Sequence, residues 1–268
     1  MANGQVLPQC GKPRMRAERT AQDGLGKEFY ERNWTLIQDD LRDVLNQMFW
    51  DGKITSRQKH GILICLPKPR GNPTPADYCP ITLLNSYYKI LARMFARRLR
   101  PIMEDHLTYT QYCGIPGNTI LDAIATVRDS IAYAENKNTP SCVLSPDFKN
   151  AYDRVLHGYL FKIIHGYGIG APFIKGIQHM YEGATSSIQI NGNQYGPIPV
   201  RCAVRQRCPM SMALYTLGLH PLLKVLEQNL PGLKMGKQER HTSVIAYADD
   251  VTIFVNSIAD FPIIEETI

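Results

Sequence analysis

Three aspartates stand in stretches that otherwise ask to be buried. Asp147 closes CVLSPD (residues 142–147), and Asp249 and Asp250 interrupt SVIAYADDVTIFV (residues 243–255). Asp is a poor strand former, and a carboxylate at the end of a buried strand is costly unless a positive charge meets it. Neither stretch supplies a Lys, Arg or His. Hard oxygen ligands with no His or Cys beside them suit Mg²⁺ or Mn²⁺ rather than zinc. Two such ions about 4 Å apart would serve phosphoryl transfer, one activating an attacking hydroxyl and the other stabilising the leaving oxygens. That chemistry requires the two stretches to be neighbouring strands. A paired Asp on its own is weak, because turns collect Asp routinely.

The elements that must position these acids follow from pattern. A helix is expected at 34–49, where Trp34, Ile37, Leu41, Val44, Leu45 and Met48 recur at helical spacing. GILICLP (61–67) reads as a short strand, followed by a Pro-rich loop carrying Lys68 and Arg70. From 87 to 102 the pattern is amphipathic. Tyr87, Leu91, Phe95 and Leu99 form an apolar stripe, and Lys89, Arg93, Arg97 and Arg100 a basic one suited to a phosphate backbone. A helix over 118–135, capped by Asn118, would turn Ile120, Ile124, Val127 and Ile131 inward. Residues 142–148 read as a buried strand ending in Asp147. Helices follow at 157–165, closed by Gly166, and at 172–182, opened by Pro172. Asn191-Gly192 marks a hairpin turn. Residues 209–228 are helical with a bend near Gly218 and Pro221. Last comes strand, turn and strand over 243–255, with the acids at the tip.

With 268 residues and 44% hydrophobic content the chain can bury one large domain or two lobes. No apolar run approaches the roughly 20 residues of a bilayer span, and the N-terminus has no apolar signal core. The expectation is an intracellular protein (cytoplasm, nucleus or both) with no membrane partner. The seven cysteines are scattered and form no C-x-x-C pair, as reduced thiols would. Residues 57–100 hold nine Lys/Arg against one acid, a net of +8 where the whole chain carries +6. So concentrated a basic field points to nucleic acid.

DFKNAYD (147–153), RQRCPMS (205–211) and AYADD (246–250) fall in this order behind LPKPRGNPTPADYCPITLLNSYYKILARMFARRL and QYCGIPGNTILDAI. Together they resemble the reverse transcriptase of LINE-type, non-long-terminal-repeat retrotransposons, over residues 23 to about 256. The resemblance implies an α/β (α+β) right-hand polymerase: an antiparallel palm sheet with packed helices, fingers before it, and the thumb missing. On that pattern residues 1–33 are a loose arm, 34–140 the fingers and 141–268 the palm. It implies an RNA-directed DNA polymerase that uses two Mg²⁺ (or Mn²⁺) ions, an RNA template, a DNA primer and dNTP substrates. Asp147 matches the first catalytic aspartate, binding metal together with the Phe148 carbonyl. Asp249 matches the second metal ligand and Asp250 its less directly ligating neighbour. Tyr152 matches the aromatic gate against a 2′-hydroxyl, Gln206 a residue near the incoming nucleotide, and Lys68 a triphosphate contact. Lys89, Arg93, Arg97 and Arg100 would hold template or primer backbone.

Three positions depart from the family pattern. Cys79 stands where an Arg is usual, Arg207 where a Gly is usual, and Pro146 where an apolar residue is usual. A Gly at such a site signals positive φ or close approach, and Pro inside a strand removes a ladder donor. With the thumb missing, these changes lead to the expectation that the chain binds nucleic acid but polymerises poorly. A catalytically dead nucleic-acid-binding remnant is the rival from another class, and a group II intron-type reverse transcriptase the rival within the enzymes.

Overall fold

The computed structural model describes residues 24–67, 78–107, 109–235 and 240–268. The chain forms two compact units, one drawn from Met1–Ala96 and Leu156–Ser211, the other from Arg97–Val155 and Met212–Ile268. Leu156–Ser211 belongs to the first of these units. One helix, α4 (Ser86–His106), runs across the division at Ala96–Arg97.

The first unit contains α1 (Lys27–Arg32), α2 (Trp34–Trp50), α3 (Ser56–Lys59), β1 (Gly61–Pro67) and β2 (Tyr78–Leu84). The arm expected to be loose to residue 33 therefore already holds a helix, and Ser86 Oγ donates to the Leu25 carbonyl (2.7 Å). Later in the chain come α6 (His157–Gly166), α7 (Ala171–Tyr181), β4 (Thr185–Ile190) and β5 (Asn193–Pro199). The strands form a sheet in the order β2-β1-β4-β5, with β1 antiparallel to β2 and parallel to β4. Pro80 sits in β2, an edge strand, where a missing donor is tolerated. The β4–β5 turn is Asn191-Gly192, both at positive φ, as the dipeptide predicts. Helices pack through an aromatic cluster in which Phe95 lies 5.3 Å from Phe49 and 4.9 Å from Phe173. Gly176 of α7 makes that approach possible, since a Cβ there would stand 2.8 Å from the Phe95 ring.

The second unit contains α5 (Ile120–Asn136), β3 (Cys142–Leu144), α8 (Ser211–Asn229), β6 (Leu233–Met235) and β7 (Arg240–Thr242). It closes with β8 (Val244–Tyr247), β9 (Asp250–Val255) and α9 (Asp260–Thr267). Its main sheet is antiparallel in the order β3-β9-β8. α5 starts two residues after the expected 118, because Thr119 and not Asn118 is the cap: Thr119 and Asp122 form a reciprocal capping box. Of the residues expected inward, Val127 packs against the core and the isoleucines do not. Ala123, Ser130 and Ala134 are buried, whereas Ile120, Ile124 and Ile131 are exposed, Ile124 by 55%. The small residues let α5 approach Ile245 and Phe254 of the sheet, and the larger ones are left outside that contact. α8 continues through Pro221 as one helix.

Candidate active site

The register of the second unit's sheet decides where the acids go. β3 meets β9 with Leu144 opposite Ile253, and β9 meets β8 with Tyr247 opposite Asp250. Antiparallel to β9, β3 runs toward the β8–β9 turn that carries Asp249, and Asp147 follows three residues after its last paired residue, Leu144. Asp147 and Asp250 are exposed and Asp249 is half-buried. The strand expected over 142–148 is shorter and more open than predicted: β3 stops at Leu144, with Cys142 and Val143 exposed. Pro146 lies two residues past that end, so it has no ladder bond to break.

No ion pair among the described residues involves Asp147, Asp249 or Asp250. Nor, among these residues, are three His, Cys, Asp or Glu side chains drawn together as ligands of one ion. The sheet joins β3 to the two strands that flank the Asp249 turn. The chemistry of the three carboxylates still fits a hard divalent ion, being all oxygen with no paired cation. The Phe148 carbonyl accepts from Ala151 N–H (3.1 Å) and keeps a second lone pair.

Tyr152 sits in a short 3-10 turn, Ala151–Arg154, entered through Asn150 at φ 55°. Its half-buried ring stacks on Tyr215 of α8, with centroids 4.3 Å apart and planes at 19°. Burial, then the negative charge of Asp249, raises both phenols, that of Tyr215 to about 12. Both rings therefore lie within the field of the Asp249 carboxylate.

The turn between β8 and β9 is strained. Tyr247 pairs with Asp250, leaving Ala248 and Asp249 as the two central residues, and Ala248 has φ 57°. Positive φ at the first central position is a glycine's place, and an L-residue there costs about 1–2 kcal/mol.

In the first unit the segment carrying Gln206 is fixed by its neighbour. Arg205 is only 3% exposed, its guanidinium donates to the Lys59 carbonyl (2.6 Å), and it lies 4.9 Å over the Tyr88 ring. The Arg205 carbonyl accepts from Cys208 N–H (3.1 Å), closing a turn with Gln206 and Arg207 at its centre. Arg207 has φ 58°, at the third position, which a type II turn reserves for Gly. The missing glycine thus marks a real conformational demand. Gln206 is half-buried and Arg207 exposed.

The basic helix is not one open face. Lys89 is 5% exposed and Arg93 half-buried, while Arg97 and Arg100 are exposed. Burial of Lys89 corrects the four-residue stripe, because Tyr88, Leu91, Ala92 and Phe95 carry the buried face around to it. Lys68 and Arg70 lie outside the described residues. Local spacing does not mark Tyr215, Arg205 or Gln111. Tyr215 is one apolar position among many on a helix, and the Arg205 contact with Lys59 spans 146 residues, beyond any local spacing.

The model of the family described as "Reverse transcriptase (RNA-dependent DNA polymerase)" matches residues 66–268. The chain is 31% identical over 238 residues to "Transposon TX1 uncharacterized 149 kDa protein" of Xenopus laevis, covering 89% of this chain and 18% of that protein. It is 26% identical over 218 residues to the "Retrovirus-related Pol polyprotein from type-2 retrotransposable element R2DM" of Drosophila melanogaster, covering 80% and 20%. The chain thus spans about a fifth of the length of these relatives. Among solved structures it resembles telomerase from Candida albicans (TM-score 0.58, 9% identity, 90% of this chain and 43% of that one). Apo telomerase from Candida tropicalis is similar too (TM-score 0.56, 12% identity, 86% and 46%), and at such identities the likeness shows the fold alone.

Proposed function

The chain belongs to the reverse transcriptase family, and on that footing we propose that it carries the RNA-directed DNA polymerase centre of a non-long-terminal-repeat retrotransposon polyprotein. What supports this reading is the sheet order β3-β9-β8, in which β3 runs toward the turn carrying Asp249 and Asp250, and the fact that among the described residues no ion pair engages any of the three aspartates. The family generally uses divalent metal ions. Asp147, the Phe148 carbonyl and Asp249 would hold Mg²⁺ or Mn²⁺, with Asp250 beside them. When bound, such ions neutralise charge on the transferred phosphoryl group and favour the attacking hydroxylate. The protein's own part is positioning. Tyr152, held flat against Tyr215, would bar a 2′-hydroxyl by sterics and so select dNTPs. Gln206 and Lys68 would contact the incoming nucleotide, and Arg97 and Arg100 the backbone of an RNA template or DNA primer, with Arg93 contributing less and Lys89 turned inward. Fingers over 34–140 and palm over 141–268 belong to the same proposal.

The test is Mn²⁺ binding followed by electron paramagnetic resonance, on wild type and on Asp147→Asn and Asp249→Asn. Each substitution should weaken binding about tenfold or more, because it removes a charged ligand. Equal affinity in all three would refute the shared site. Arg207 in a glycine's place favours a second reading, a chain that retains nucleic-acid binding with impaired synthesis. Primer extension on an RNA template separates the two. Robust wild-type synthesis abolished by Asp249→Asn excludes impairment, and synthesis appearing only with Arg207→Gly supports it.

A further inference from the structure

The segment QYCGIPG carries a conspicuous motif to which the polymerase reading gives no task. The structure gives its first residue one. Gln111 is fully buried, 0% exposed. Its backbone lies alongside β8, forming a parallel bridge with Ala246: Ala246 N–H donates to the Thr110 carbonyl (2.6 Å) and Tyr112 N–H to the Ala246 carbonyl (2.9 Å). Its side chain then reaches the β8–β9 turn. The carboxamide oxygen accepts from Ala248 N–H (3.1 Å) and from Cys113 N–H (2.9 Å), and the carboxamide nitrogen approaches the Ala248 carbonyl at 3.4 Å. Ala248 is the residue at φ 57°, immediately before Asp249.

A left-handed alanine persists only where its surroundings over-determine it. Here a single buried side chain engages both polar groups of that residue, and both hydrogen-bonded N–H groups would be orphaned in a buried site without it. We propose that Gln111 is a positioning residue that holds the Y-A-D-D turn in its strained form and thereby aims Asp249. It acts through Ala248 and touches neither metal nor substrate. The inference rests on Asp249 being a metal ligand, and it assigns to Gln111 a share of the site's preorganisation. The amide suits this role better than Glu or Met. Met would leave both N–H groups unpaired, and Glu would keep the acceptor but lose the donor.

Mn²⁺ titration of the full chain provides the test, alongside urea denaturation of each variant. Gln111→Met, which keeps volume and removes both hydrogen-bonding functions, should weaken Mn²⁺ binding about tenfold. Adding Ala248→Gly should recover about threefold of that loss, because glycine adopts the left-handed conformation unaided. Gln111→Glu keeps the acceptor but turns a second oxygen toward the Ala248 carbonyl, so it should bind Mn²⁺ more weakly than wild type and more tightly than Gln111→Met. A Gln111→Met protein that binds Mn²⁺ like wild type and loses only stability would overturn the proposal. If that variant does not fold, Gln111→Glu decides: weakened binding that Ala248→Gly partly restores supports the positioning role, and binding equal to wild type overturns it. Wild-type binding indifferent to Asp249→Asn would overturn the metal reading itself, and the proposal with it, a result distinct from either outcome at Gln111.

Discussion

Replacing Arg207 with glycine should make the protein more stable, although it removes a large side chain. The reason is the backbone at φ 58° in a turn closed by Cys208 N–H to the Arg205 carbonyl. Holding an L-residue there costs about 1–2 kcal/mol. Glycine removes that cost but gives the unfolded chain more freedom, worth about 0.5–1 kcal/mol in the opposite sense. The side chain is exposed, so little packing goes with it. The balance is a gain of about 0.5–1 kcal/mol, or a rise of about 1–4 °C in melting temperature for a chain of this size. Urea denaturation followed by tryptophan fluorescence reports on it, because Trp34 and Trp50 both belong to α2, in the same unit as the turn. Arg207→Ala keeps the conformational cost and should match wild type, and Arg207→Asn should fall between Ala and Gly. If Arg207→Ala stabilises as much as Arg207→Gly, the effect comes from losing the side chain or its charge, and the turn argument is wrong.

Gly176→Ala should destabilise the first unit by about 1 kcal/mol. The new Cβ would stand 2.8 Å from Phe95 and 3.1 Å from Phe49, and overpacking of about 1–3 kcal/mol exceeds the roughly 1 kcal/mol that Ala gains over Gly in a helix. The same fluorescence assay would expose the error if the variant were as stable as wild type. His220, 4% exposed, has its pKa pulled down to about 4, first by burial and then by the charges of Lys224 and His106. The folded state then binds fewer protons than the unfolded one between that value and 6.5. Stability should be full above pH 6.5 and fall by about 1–2 kcal/mol as the pH drops toward 4. Chemical denaturation at pH 7.5 and 5.0 should show this loss in wild type and less of it in His220→Gln; an equal loss in both would assign it to other groups.

Periodicity located most elements because each is closed by local chemistry. α2 ends within a residue of expectation, the Asn191-Gly192 turn falls where the dipeptide puts it, and Asp249 sits in the turn between its two strands. What the pattern misjudged depends on contacts far apart in the chain. Counting apolar residues on α5 favours the isoleucine stripe, yet the helix presents its alanines, because close approach to Ile245 and Phe254 selects for small side chains. Lys89 has the spacing of an exposed cation but shares a helix turn with Tyr88 and Leu91, which are wholly buried. The three aspartates could be named from sequence. The pairing that runs β3 toward the turn of Asp249 joins residues about a hundred positions apart, and local propensity does not encode it.

The two strained turns show what kind of departure a glycine position can absorb. Ala248 and Arg207 each occupy a place where the turn asks for glycine, one beside Asp249 and the other beside Gln206. At Ala248 a methyl group is the only excess, and Gln111 meets both polar groups of the residue from the side. The conformation is therefore bought with specific hydrogen bonds, and strain of that kind can be part of a site's preorganisation. At Arg207 the turn is closed by the Arg205 carbonyl, which Ser211 Oγ also engages (2.6 Å), but those bonds fix the residue two positions earlier. Nothing comparable is directed at Arg207 itself among the hydrogen bonds described. Equal strain should therefore have unequal consequences. Relieving it at Arg207 with glycine should raise stability and leave Mn²⁺ affinity unchanged. Relieving it at Ala248 with Gln111 intact should raise stability by a similar amount while loosening the turn that carries Asp249. If Ala248→Gly instead left Mn²⁺ affinity untouched in the wild-type background, the strain at that turn would have no share in holding the carboxylate.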